Sequence, residues 1–200
     1  MNSKQYSWET IEEIQNSSAD AIIQWADDND ISEYGLLNAT EFAQERYAGI
    51  PRDKKSLLSM THLQLDNYPD TCVDFPEEFK YLRNITHLTL MFSEGMRTDL
   101  QKGFCHFPNL THLTFDFIYF QELTQEIYEL KKLTHIEIKN GVLEKLSPDI
   151  VKLENLTHLN LQNNYGVSVP KEIMKLKKLD TLMLKGTKYK IFGSIESNQT

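Results

Sequence analysis

Residues 153–164 read LENLTHLNLQNN, in which Leu156, Leu159 and Leu161 surround a single histidine, His158. The pair Thr157-His158 has four counterparts upstream: Thr61-His62, Thr86-His87, Thr111-His112 and Thr134-His135. Five of the six histidines therefore hold one repeated position. The threonines and the aligned Asp180 are separated by 25, 25, 23, 23 and 23 residues. A period this regular marks a stacked architecture in which one supersecondary unit recurs.

The units begin at Met60, Ile85, Leu110, Leu133, Leu156 and Leu179, and each is apolar at its first, fourth and sixth places. Apolar residues return in the back half, as Val169, Ile173 and Leu176, then Leu146, Ile150 and Leu153, and Leu123, Ile127 and Leu130. The first two units are longer by two residues and keep the pattern with Phe75, Phe79 and Leu82, then Leu100, Phe104 and Phe107. Val169-Pro170-Lys171-Glu172-Ile173 and Phe75-Pro76-Glu77-Glu78-Phe79 carry a recognisable half-repeat. In these features the chain resembles leucine-rich-repeat proteins of the 23-residue type whose back half reads Leu-Pro-x-x-Ile, common among bacterial and intracellular members. The resemblance covers residues 60 to about 192. It departs at the ninth place, where that family usually has asparagine: only Asn164 conforms, against Tyr68, Ser93, Ile118, Gly141 and Thr187. Turns lacking the asparagine must satisfy their backbone groups in another way.

The resemblance implies an α/β fold: a curved solenoid of about six repeats whose short strands form one parallel sheet, with a helical cap at the N-terminal end. Neighbouring strands lie about 4.8 Å apart, and no unit can bury its apolar side alone, so the ends need covering. Alternation along the strand sends the fourth and sixth residues inward and the third and fifth outward, onto the concave face. The histidines, at the third place, are exposed.

Three parts follow. Residues 1–59 lack the repeat and read as a helical cap. Thr10 and Glu13 have capping-box spacing, and Ser18 can cap a helix carrying Ala21, Ile22, Ile23, Trp25 and Ala26, ended by Asp27-Asp28-Asn29-Asp30. Trp25, Ile22 and Ile23 are expected to cover the first repeat, with a second helix from about Asp53 to Ser59. Residues 60–192 form the repeats, the last of them a shortened unit from Leu179 to Phe192, and residues 193–200 form a polar tail.

Composition narrows the function. A net charge of −8 speaks against a nucleic-acid surface. The charge is uneven: residues 1–59 hold five Lys/Arg against eleven Asp/Glu, whereas Lys171 to Lys190 holds seven lysines against Glu172 and Asp180. One acidic and one basic end make head-to-tail self-association conceivable. No apolar run approaches the roughly 18 residues of a membrane span, and the N-terminus has no signal-peptide core. A cytoplasmic location is expected, or delivery as a bacterial effector without a cleavable signal. Cys72 and Cys105 read as free thiols. The triplets starting at Asn84, Asn109 and Asn155 match a glycosylation pattern, but they recur because the unit recurs.

No phosphate loop, paired-cysteine knuckle or nucleophile motif is present, so neither catalysis nor a cofactor is expected. The candidate surface is the concave face: His62, His87, His112, His135 and His158 at the third place, and Gln64, Thr89, Thr114, Glu137 and Asn160 at the fifth. Met91, Phe92 and Phe117 stand at its edge, at the seventh and eighth places, and resemble interface anchors. Alternatively, their rings fold down as local core. Stacked imidazoles repel when protonated, so the column is expected to titrate below 6.5. The main expectation is a non-catalytic module binding a protein partner. The alternatives are a recognition domain of a bacterial effector or ubiquitin-ligase-like system, and metal or ligand binding by the histidine ladder. Against the second, no catalytic domain follows Thr200 in this sequence. Against the third, a flat row of imidazoles does not close a tetrahedron.

Overall fold

The computed structural model describes residues 10–33, 35–37, 46–66, 74–91, 102–117, 120–164, 166–187 and 190–192. In chain order these form α1 (Ile11–Asp28), β1 (Gly35–Leu37), β2 (Arg46–Ala48), α2 (Lys54–Ser59), β3 (His62–Asp66), β4 (His87–Met91), β5 (His112–Asp116), α3 (Gln125–Tyr128), β6 (His135–Lys139), β7 (His158–Asn160), β8 (Ser168–Pro170), β9 (Thr181–Met183) and β10 (Lys190–Phe192). Short 3-10 turns at Glu77–Tyr81, Phe104–His106, Pro148–Lys152 and Lys171–Lys175 occupy the back halves of units.

β3, β4, β5, β6, β7 and β9 pair in parallel in that order, one strand per unit. The register sets like places side by side: His62 on His87, His87 on His112, His112 on His135, and His135 on His158. Because a one-residue slip would turn the leucines to solvent, the alternation of burial pins this pairing. The fourth and sixth places of the first five units, from Leu63 and Leu65 to Leu159 and Leu161, are all buried. The core is continuous with the back-half residues Phe75, Phe79, Phe104, Phe107, Ile127, Ile150 and Ile173. Each fully buried aliphatic or phenyl side chain contributes roughly 1.5–3 kcal/mol.

Side chains also stitch the units together outside the core. Asn84 Nδ2 donates to the Leu58 carbonyl (3.1 Å), Asn109 Nδ2 to Arg83 (2.7 Å) and Asn155 Nδ2 to Lys131 (2.8 Å). The recurring Asn-x-Thr triplets are thus rungs between units, which explains their repetition. At the ninth place, Asn164 is fully buried; it donates to the Leu161 carbonyl (3.0 Å) and accepts from the Leu143 N–H (3.2 Å). In the last unit the Thr187 hydroxyl donates to the Leu161 carbonyl (2.7 Å), so a second residue type meets the same need.

The N-terminal part confirms one capping motif and corrects two expectations. Thr10 Oγ1 accepts from the Glu13 N–H, and Glu13 accepts from the Thr10 N–H, closing the capping box. Ser18 caps nothing: it lies buried inside the single long helix α1, where its small side chain permits close packing. Nor is the segment helical throughout. β1 and β2 form an antiparallel pair, and Glu33 bridges to Ile50. Gly49, at φ 100°, makes this possible, because a Cβ there would collide with the Ser32 carbonyl and the Glu33 backbone. The Gly49 N–H donates to the Gln64 carbonyl (2.8 Å) and so ties the cap to the outer edge of β3. Helix α2 is capped by Asp53, whose carboxylate accepts from the Ser56 N–H (2.8 Å). Trp25 packs edge-on against Phe79 (5.5 Å between ring centres) and tilted against Phe75 (5.9 Å), so α1 lies over the back half of the first unit.

Candidate functional site: the histidine ladder

The five histidines form one continuous stack. Successive ring centres are 4.0, 4.0, 4.2 and 4.2 Å apart, and successive planes deviate from parallel by 20°, 12°, 13° and 11°. The rings thus draw closer than the spacing of the strands that carry them, into direct face-to-face contact.

What holds each ring is the preceding threonine. Its hydroxyl lies 2.8–2.9 Å from the imidazole Nδ1 in all five pairs. In four of them the same hydroxyl also reaches the threonine carbonyl of the unit before: Thr86 to Thr61 (3.4 Å), Thr111 to Thr86 (3.1 Å), Thr134 to Thr111 (3.1 Å) and Thr157 to Thr134 (3.0 Å). A hydroxyl has one proton, and a carbonyl can only accept. The arrangement that satisfies every atom has the threonine donating to the carbonyl and accepting from Nδ1–H. That assigns the Nδ1-protonated tautomer to His87, His112, His135 and His158, by hydrogen-bond logic rather than by sight of a proton. Their Nε2 lone pairs are left as acceptors.

Burial disfavours the charged form of the three inner histidines, His87, His112 and His135. His87 is driven down to about 4, first by desolvation and then by the charges that His112, His62 and His135 would carry. His112 and His135 are lowered for the same leading reason, with Glu137 opposing in both cases. For these three the expected downward shift is present, but burial leads and mutual repulsion comes second.

The remaining residues predicted for the face are dispersed around the ladder. Glu137 is bound to Lys139 (2.7 Å). Gln64 donates to Asp66 (2.9 Å) and approaches Met91 Sδ (3.9 Å). Asn160 accepts from the Gln162 N–H (3.0 Å). Thr89 and Thr114 are half-buried between the histidine column and the edge, as is Met91 at its seventh place. Phe92 lies outside the described residues. Phe117 is half-buried, and its backbone is left-handed at φ 57°. Among the described residues every eighth place shares this conformation: Asn140 (φ 52°), Asn163 (φ 58°) and Gly186 (φ 74°) as well. Asparagine and glycine tolerate it, whereas a phenylalanine there costs roughly 1–3 kcal/mol. The Asn-Asn-Gly sequence at the aligned positions was the available signal for that turn.

Among the described residues no group of three or more His, Cys, Asp or Glu side chains is disposed to hold a metal ion. The stack explains this for the histidines. In rings within 20° of parallel the Nε2 lone pairs run side by side and do not converge on one point. Also among the described residues, no helix is long and apolar enough to cross a membrane, and Cys105 is a free, exposed thiol.

A scan of family models and a sequence comparison with curated proteins each found no match. Solved structures do resemble the fold. An internalin from Listeria monocytogenes shares 15% identity at a TM-score of 0.44, over 71% of this chain and 46% of that one. A leucine-rich-repeat protein of Leptospira interrogans shares 18% at 0.43, over 94% and 60%. The leucine-rich-repeat domain of the type III effector XopL shares 16% at 0.46, over 92% and 74%. The chain spans about half the length of the first and three fifths of the second. At such identities and scores nothing is carried over from these structures. The architecture rests on the molecule's own strands: six repeated units, paired in parallel with their leucines inward, make this chain a leucine-rich-repeat solenoid.

Proposed function

We propose that the chain is a non-catalytic module whose concave face binds a protein partner, within the reducing interior of a bacterial cell or of a host that receives it. The observation that carries this reading is the stacked ladder. It offers a row of imidazoles, four of them with the tautomer set by threonine and the Nε2 lone pair left as a hydrogen-bond acceptor. Rings already ordered by stacking and by Nδ1 lose little rotamer freedom on binding. An acceptor-rich surface suits a partner face rich in donors. Phe117 supplies an aromatic side chain at the edge, on a backbone whose strain calls for a use.

The test is affinity capture with the intact chain and with His87→Ala/His112→Ala, followed by direct titration of whatever is retained. Loss of the partner from the variant, with the circular-dichroism spectrum unchanged, supports the reading. An undiminished affinity refutes it. The exposed Cys105 thiol is raised by partial burial and by Glu126, which disfavours the reactive thiolate.

A further inference from the structure

The ladder has an end, and that end opens into a cleft. One face of the His62 ring rests on His87. Next to His62 the cap forms a cleft of about 430 Å³, lined by Glu33, Pro51, Asp53 and Met60 among others. The segment carrying Pro51 and Asp53 follows Gly49, whose N–H donates to the Gln64 carbonyl on the β3 edge opposite β4, so the cleft lies on the side of His62 away from His87. His62 is also the exposed member of the ladder; the other four rings are half-buried.

The wall of this cleft combines three features. The first is the free face of an imidazole that is already stacked behind. The second is a pair of carboxylates, Glu33 and Asp53. The third is an apolar floor from Met60 and Pro51. The nearby cations are turned elsewhere: Arg52 holds Asp27 (2.8 Å) and the carbonyls of Ile50 and Ile31, and Lys54 holds Asp20 (2.7 Å). Lys55 acts on Asp53 only through space. Among the described residues Glu33 has no ion pair, and Asp53, which accepts from the Ser56 N–H (2.8 Å) and is met by the Ser56 side chain, has none either.

We infer that this cleft is an anchor site for a guanidinium group, supplied by an arginine side chain of the partner. The inference rests on the proposed concave-face interaction and gives it a point of attachment. A guanidinium is planar, weakly hydrated and always charged. It stacks on an aromatic face while its edge donates to carboxylates, which an ammonium cannot do. An arginine lying on His62 would extend the ladder by one more planar group, with Glu33 and Asp53 at its rim. The acidic N-terminal segment, with eleven Asp/Glu against five Lys/Arg over residues 1–59, draws a cation toward it.

The test uses the full chain and two small probes, arginine amide and lysine amide, with the histidine ring protons followed by NMR. Arginine amide in the millimolar range is expected to move the His62 signals and to leave His158 in place. Lysine amide should be at least severalfold weaker. Glu33→Gln and Asp53→Asn should each weaken arginine amide severalfold; asparagine caps a helix as well as aspartate does, so α2 keeps its start. Unmoved His62 signals, equal shifts with both probes, or shifts that survive the double variant would each overturn the anchor. None of these outcomes touches the concave-face reading itself, which is decided by the His87 and His112 variants.

Discussion

Leu63 and Leu182 occupy the same fourth place of the unit, in the first and last strands of the sheet, yet Leu63 is 1% exposed and Leu182 38%. The difference lies in what stands beyond each strand. Before β3 come the Gly49 tie to its outer edge, helix α2, and α1 with Ala19, Ile22 and Ala26 buried against the first unit. Beyond β9, among the described residues, no further strand joins the six-stranded sheet, and Leu182 and Met183 are partly exposed. Place within the unit determines which way a side chain points. Whether it is buried depends on the next layer. The ladder repeats the lesson, since His87, held between two rings, is driven to about 4.

This contrast can be broken or sharpened by measurement. The largest effect is expected at the covered end: Ile22→Ala should cost about 3 kcal/mol in urea unfolding, because it opens a cavity between α1 and the first unit. Gly186→Ala comes next, at roughly 2 kcal/mol in the same assay. Gly186 is left-handed at φ 74°, and a Cβ there would run into the Asn163 side-chain oxygen.

The ladder should make stability depend on pH. His87, His112 and His135 are held below the ordinary imidazole value of about 6.5, so between about 4 and 6.5 the unfolded chain holds more protons than the folded one. Stability is therefore full above about 6.5 and declines as pH falls toward 4. After allowance for solvent screening of these half-exposed rings the loss is roughly 1–2 kcal/mol. Urea midpoints across that range, with His87→Gln flattening the slope, check both size and sign.

Smaller still is Phe117→Asn, expected to stabilise the fold by about 1 kcal/mol by relieving the left-handed strain, at the expense of partner affinity. The smallest effect belongs to the open end, where Leu182→Ala should cost under about 1 kcal/mol. Equal losses for Ile22→Ala and Leu182→Ala would abolish the distinction between the two ends.

Much of this architecture could be read directly. The period of Thr-His placed every strand of the sheet, the alternation around it separated core leucines from concave histidines, and Thr10 with Glu13 marked the start of α1. What escaped reading depended on contacts between distant residues. The β1–β2 pair joins residues on either side of a segment with no strand pattern of its own. Ser18 has the chemistry of a cap, but buried packing keeps it inside the helix. Whether Phe117 is an edge anchor or local core stayed open, because its type was visible and its left-handed backbone was not. Phe92 lies outside the described residues and stands as a proposal only.

Sequence alone determined the repeat, its parallel register and the outward direction of the histidines, because these follow from local periodicity that identical units must satisfy together. Tertiary structure decided how those histidines behave. Only the close approach of neighbouring units lets one threonine hydroxyl bridge a carbonyl and a ring nitrogen, and so choose the tautomer. The same approach presses the rings into one stack and withdraws them from water, and the cap alone leaves the face of His62 beside two carboxylates.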